Sequence, residues 1–146
     1  MPIPDFTATG DLPVGVHPAS LPEALFRFGT GSKRRRRLAL RLERAYRLAT
    51  ETGYLARFIV FGSFITAKPE PNDVDVFMIM DDDFDVAVLS REAQLLFDHG
   101  AAQTHFGCSL FWVRRLAAFG GEDATIEYWQ VKRDGTKRGL IEIRAE

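Results

Sequence analysis

Apolar positions recur along this chain in two periods. Leu38, Leu42, Ala45, Tyr46 and Ala49 keep helical spacing and predict a helix from about Lys33 to Thr52, ended by Gly53. A shorter helix is predicted after Ser20. Glu23, three residues on, completes a capping box, Leu25, Phe26 and Phe28 supply an apolar side, and GTGS at 29–32 breaks it. Strand-like runs follow at Leu55–Phe61, Asp73–Met80 and Cys108–Val113. Between them, TAKPEPN at 66–72 reads as a loop fixed by two prolines and DDDFD at 81–85 as a polar turn. A helix is expected around Ser90–His99, with Ser90 as its cap, and HGAAQTHFG as a connector. Thr125–Val131 fits helix or strand, Asp134-Gly135 is a turn signal, and Leu140–Arg144 alternates as a strand. Residues 1–19 carry four prolines and read as an extended arm, ordered only where it docks.

This order predicts an α+β fold: a small mixed sheet with helices packed on it, as one domain over 20–146 behind the arm. The 146 residues, 46% hydrophobic, suffice for one domain with its own core. Nineteen basic against twenty acidic residues leave the net charge near zero, so bulk charge does not announce a nucleic-acid binder. The single cysteine, Cys108, rules out an internal disulfide and suits a reducing, cytoplasmic setting. The first residues lack the basic start and apolar stretch of an export signal, and no run reaches the roughly 20 apolar residues of a membrane span.

The segment FGSFITAKPEPNDVDVFMIM, 61–80, carries the chemistry. Asp73 and Asp75 fall one residue apart at the head of an apolar strand, so their side chains point to one face. Two parallel carboxylates repel unless a cation neutralises them. Oxygen ligands on a rigid element suit Mg²⁺ or Mn²⁺, which completes its shell with substrate phosphates. Gly62-Ser63 supplies a docking point for those phosphates through close backbone approach, exposed amides and a hydroxyl. Lys68, in the intervening loop, is a further candidate nucleotide contact.

Gly-Ser, nine residues, then Asp-x-Asp in an apolar strand resembles the signature of the DNA polymerase β-type nucleotidyltransferase superfamily, in its minimal bacterial form. Three stretches, DLPVGVHPASLPEALFRFG, GSFITAKPEPNDVDV and RDGTKRGLIEI, are similar to an uncharacterised family of small bacterial proteins with that fold. The resemblance implies that Gly62 and Ser63 hold the β- and γ-phosphates of a nucleoside triphosphate and that Asp73 and Asp75 hold the metal. It implies transfer of a nucleoside monophosphate to a protein or RNA hydroxyl, in a toxin–antitoxin or phage-defence setting with a partner protein. The superfamily adds a third carboxylate on the next core strand; the aligned position here is Ser109, a neutral hydroxyl. Asp81–Asp83 lie on the order of 20 Å from Asp75 along the strand, too far to replace it. Glu127 and His105 stay open as substitutes. A rival reading is therefore a catalytically impaired binding module that grips a partner through the arm and KRRRR; a third is a chain completed by a second subunit.

KRRRR at 33–37 fits a solvated helical turn, yet cations there oppose the helix dipole, and a bound anion would relieve them. Arg35 and Arg36, with Lys137 and Arg138 from a second basic group that also holds Lys132 and Arg133, are candidate anion contacts. Phe106, Phe111 and Trp112 read as core and its edge rather than as base-stacking groups. The histidines lack metal-ligand spacing, Cys108 has no partner, and nothing orients a histidine against Ser63, so neither a zinc site nor a Ser-His-Asp triad is expected.

Overall fold

A computed structural model describes residues 3–118 and 120–145 of the chain. In chain order the elements are β1 (Val16–Ala19), α1 (Leu21–Phe28), α2 (Lys33–Glu51), β2 (Leu55–Phe61), β3 (Val74–Met80), α3 (Arg91–Leu96), α4 (His99–Phe106), β4 (Cys108–Arg114), α5 (Glu122–Tyr128) and β5 (Leu140–Ile143). The fold is α+β. The strands form one five-stranded mixed sheet in the order β1-β5-β2-β3-β4. β2 runs antiparallel to both β3 and β5, while β3 pairs with β4, and β1 with β5, in parallel.

The sheet is covered on both faces. On one, Val60, Val76, Met78 and Leu110 meet Phe28 of α1, Leu38 and Leu42 of α2, Leu96 of α3, and Ala102 and Phe106 of α4. On the other, Ile59, Phe77, Ile79 and Leu140 pack against Ile126 of α5, with Trp129 at the margin. Central β3 is apolar on both sides for this reason, and Asp75 is the one polar residue in it. Among the described residues no helix is long and apolar enough to cross a membrane.

The helix starts follow local chemistry. Ser20 and Glu23 form the reciprocal capping box, and Ser32 accepts the Arg35 amide at 3.1 Å to open α2. Two expectations change. The segment read as a connector contains α4: Asp98 accepts the Ala101 amide at 2.9 Å and restarts the helix, which closes at Gly107. Only Ala102 and Phe106 on this helix are buried, so its periodicity was too sparse to announce it. The arm is not separate from the domain either. Its last four residues are β1, and Leu12 is buried in the main core. The open alternative over 125–131 divides: 125–128 end α5, and Val131 pairs with Lys137 in an isolated antiparallel bridge.

Candidate functional site: an acid-floored cleft at the end of the sheet

Three strand ends make the floor. The register sets Phe61 of β2, Asp75 of β3 and Ser109 of β4 side by side, and paired side chains share a face. Gly62 follows with φ +82°, and a Cβ there would collide with the Asp75 carboxylate, so only glycine lets the backbone pass. Ser63 opens a single 3₁₀ turn to Ile65, pinned by the Thr66 hydroxyl donating to the Ser63 carbonyl at 2.7 Å. Behind this turn, buried Arg35 donates to the carbonyls of Phe28, Phe64, Thr66 and Lys68 at 2.5–2.9 Å. Arg35 thus braces the loop from inside. The expected anion contact at Arg35 is corrected, because its guanidinium is already committed to backbone oxygens.

Asp73 is half-buried just before β3. Gln103 of α4 donates to Asp73 Oδ1 at 3.4 Å and accepts the Ser109 hydroxyl at 3.3 Å, linking the two across the floor. The Asp75 carboxylate receives no hydrogen bond among the described residues. Burial first, then the charge of Asp73, raises its pKa to about 6, against a smaller pull downward from Arg138.

The facing wall comes from the tail. α5 delivers Tyr128 and Trp129; a hairpin joined at Val131 and Lys137, turning at Asp134-Gly135, delivers Lys132, Arg133 and Arg138. Trp129 stands 4.6 Å from Phe61 and 5.0 Å from Phe111, ring centre to ring centre. The enclosed space is about 770 Å³. Gly62, Ser63, Lys68, Asp73, Asp75, Ser109 and Arg138 all line it.

Arg36 and Lys137 do not: Arg36 is exposed on α2, and Lys137 pairs with Glu127 at 3.3 Å, which removes Glu127 from the cleft as well. His105 faces Glu92 at 3.5 Å. Asp81 pairs with Arg115 at the far end of β3. Phe111, read with its neighbours as core and its edge, is 36% exposed and forms part of the cleft, whereas Trp112 points to the opposite face and donates to the Phe97 carbonyl. Sequence reasoning missed Gln103, because α4 was unseen, and the aromatic wall, because only the tertiary fold brings Trp129 over β2 and β4.

No cluster of three or more His, Cys, Asp or Glu side chains forms among the described residues. The pair at 73 and 75 does fit a hard divalent ion that uses one or two carboxylates and takes its remaining oxygens from phosphate and water. The observation behind that fit is Asp75 itself: an enclosed carboxylate beside a second one, with no donor to stabilise its charge.

These features define a small α+β protein with an acidic floor and a basic, aromatic wall at one end of a mixed sheet. The chain belongs to DUF6932, a family of unknown function, whose sequence profile matches residues 4–144. Comparisons with curated proteins and with solved structures give no match.

Proposed function

We propose that the cleft binds a nucleoside triphosphate together with Mg²⁺ or Mn²⁺. Asp73 and Asp75 hold the ion. The backbone at Gly62 and Ser63 and the Ser63 hydroxyl take the terminal phosphates, and Lys68, Lys132 and Arg138 neutralise them from the other side. The base stacks against the aromatic wall of Phe111, Tyr128 and Trp129. The observation that carries this reading is the meeting of three chemistries in one cleft: paired carboxylates, a glycine-serine bend and a cationic, aromatic wall. The divalent ion supplies charge neutralisation at the phosphates. Transfer of the nucleoside monophosphate to a protein or RNA hydroxyl, with release of pyrophosphate, follows from in-line attack on the α-phosphate. The free, buried thiol of Cys108 fits a reducing cytoplasm.

One observation favours a second reading. Ser109 lies directly beside Asp75 and is hydrogen-bonded to Gln103, so the floor offers two charges and a neutral hydroxyl–amide pair. In that reading the nucleotide is held without turnover, and the loaded protein grips a partner. Titration calorimetry with ATP, GTP, CTP and UTP, with and without Mg²⁺, tests the shared claim. Binding that requires Mg²⁺ and falls at least tenfold in the Asp73→Asn, Asp75→Asn double variant is expected; indifference to every nucleotide overturns both readings. Pyrophosphate release then separates transfer from holding.

A further inference from the structure

We infer that the exposed basic face of α2 binds the phosphates of a single-stranded RNA and lays that strand along the rim of the cleft. As a choice of acceptor this rests on the nucleotide reading above; as a binding surface it stands apart from it.

α2 carries eight of the nineteen Lys and Arg residues in a chain of net charge −1, so positive charge is gathered on one element. Half of these cations have structural work. Arg35 is buried on four carbonyls. Arg34 meets Asn72 and Glu70, Arg44 meets Glu92, and Arg47 meets Glu43. Lys33, Arg36 and Arg37 do not: all three are exposed and have no partner among the described residues. The first turn of α2 contains no acid, and its cations sit at the positive end of the helix dipole. That concentration is unfavourable in the free chain, and a polyanion relieves it.

Position supplies the second part. The grip of Arg35 on the 64–68 loop sets the first turn of α2 directly behind the Gly62–Lys68 side of the cleft. Arg34 touches Asn72 of the cleft lining, and the Arg41 guanidinium lies over Gly107, two residues before Ser109. Arg34, Arg37 and Arg41 therefore form a row of roughly 10 Å that follows the rim, and the exposed Lys33 and Arg36 flank it as further phosphate contacts. Guanidinium groups match phosphate oxygens in pairs. A row of guanidinium groups running from Asn72 to Gly107 along the rim matches the regularly spaced phosphates of a single strand, and RNA presents such strands with free hydroxyls.

Fluorescence anisotropy with a labelled RNA of about 20 nucleotides, across a range of KCl concentrations, tests the proposal on the full chain. The Lys33→Ala, Arg36→Ala, Arg37→Ala variant removes side chains that touch nothing, so its fold and Mg²⁺–ATP binding stay unchanged. RNA affinity is expected to fall at least tenfold, and the slope of log affinity against log salt to lessen by about 2. No RNA binding by the wild-type chain, or equal affinity and slope in the variant, overturns the proposal. Equal binding of DNA of the same sequence overturns the choice of RNA, and tighter binding of polyglutamate assigns the face to an acidic protein instead. A wild-type chain that binds RNA but no nucleotide keeps this surface and sinks the reading of the cleft.

Discussion

At pH 7 Asp75 is ionised in surroundings that disfavour its charge, since burial and Asp73 raise its pKa to about 6. The folded chain therefore holds that proton more tightly than the unfolded chain does. The stability contributed by the protonated form is complete below the ordinary carboxylate pKa of 3.8 and is lost as pH rises through about 6. Above that, the charged side chain costs the apo protein about 2–3 kcal/mol. Asp75→Asn is thus expected to raise the thermal midpoint by about 4–8 °C at pH 7–8, with the gain closing as pH falls toward 4. Thermal unfolding across that range checks it; an unchanged or lowered midpoint at pH 8 counts against an uncompensated charge in this cleft. The placement of Asp75 was legible in the sequence, because strand alternation and the neighbouring Gly-Ser are local features. Its surroundings were not. Gln103, Tyr128 and Trp129 arrive from elements whose position depends on how the whole chain packs.

Strong local signals also made most elements legible: the Ser20 box, the helical spacing of α2, and the apolar runs of β2, β3 and β4. Where the pattern was weak, a few side chains decide. α4 buries only two residues, and β1 carries Pro18 at the sheet's edge, so neither looks like a helix or strand in isolation. KRRRR shows the limit most clearly. Five adjacent cations look equivalent in sequence, yet the helix turns one of them inward. Arg35→Ala leaves four carbonyls without their donor, with an expected loss of about 3 kcal/mol in denaturant unfolding, and Arg35→Lys recovers part of it. Arg36→Ala, on the solvent side, stays within about 0.5 kcal/mol. Equal effects at the two positions would show that the loop after Gly62 does not depend on α2 for its shape.

Across the whole molecule the two chain ends are stitched together beside the cleft. β1 pairs with β5, the Leu12 carbonyl accepts the Gly139 amide at 3.0 Å, and the Gly15 amide donates to the side chain of Gln130 at 2.7 Å. Asp11 sits at the centre of this seam, largely enclosed. It pairs with Lys132 at 3.2 Å and approaches Arg138 at 3.8 Å, two of the cations that line the cleft. The arm therefore acts on the basic wall through one carboxylate, a coupling that sequence alone hides because the partners lie at opposite ends of the chain. Asp11→Asn keeps the shape and removes the charge. For a partly buried pair the expected loss is about 1–2 kcal/mol, felt first in the hairpin that Asp11 anchors. Amide hydrogen exchange over 130–138 should quicken by roughly tenfold while the amides of β2 and β3 keep their protection. Uniform acceleration across the sheet would mean that Asp11 supports global stability alone. No change at 130–138 would mean that the basic wall holds its place without the arm.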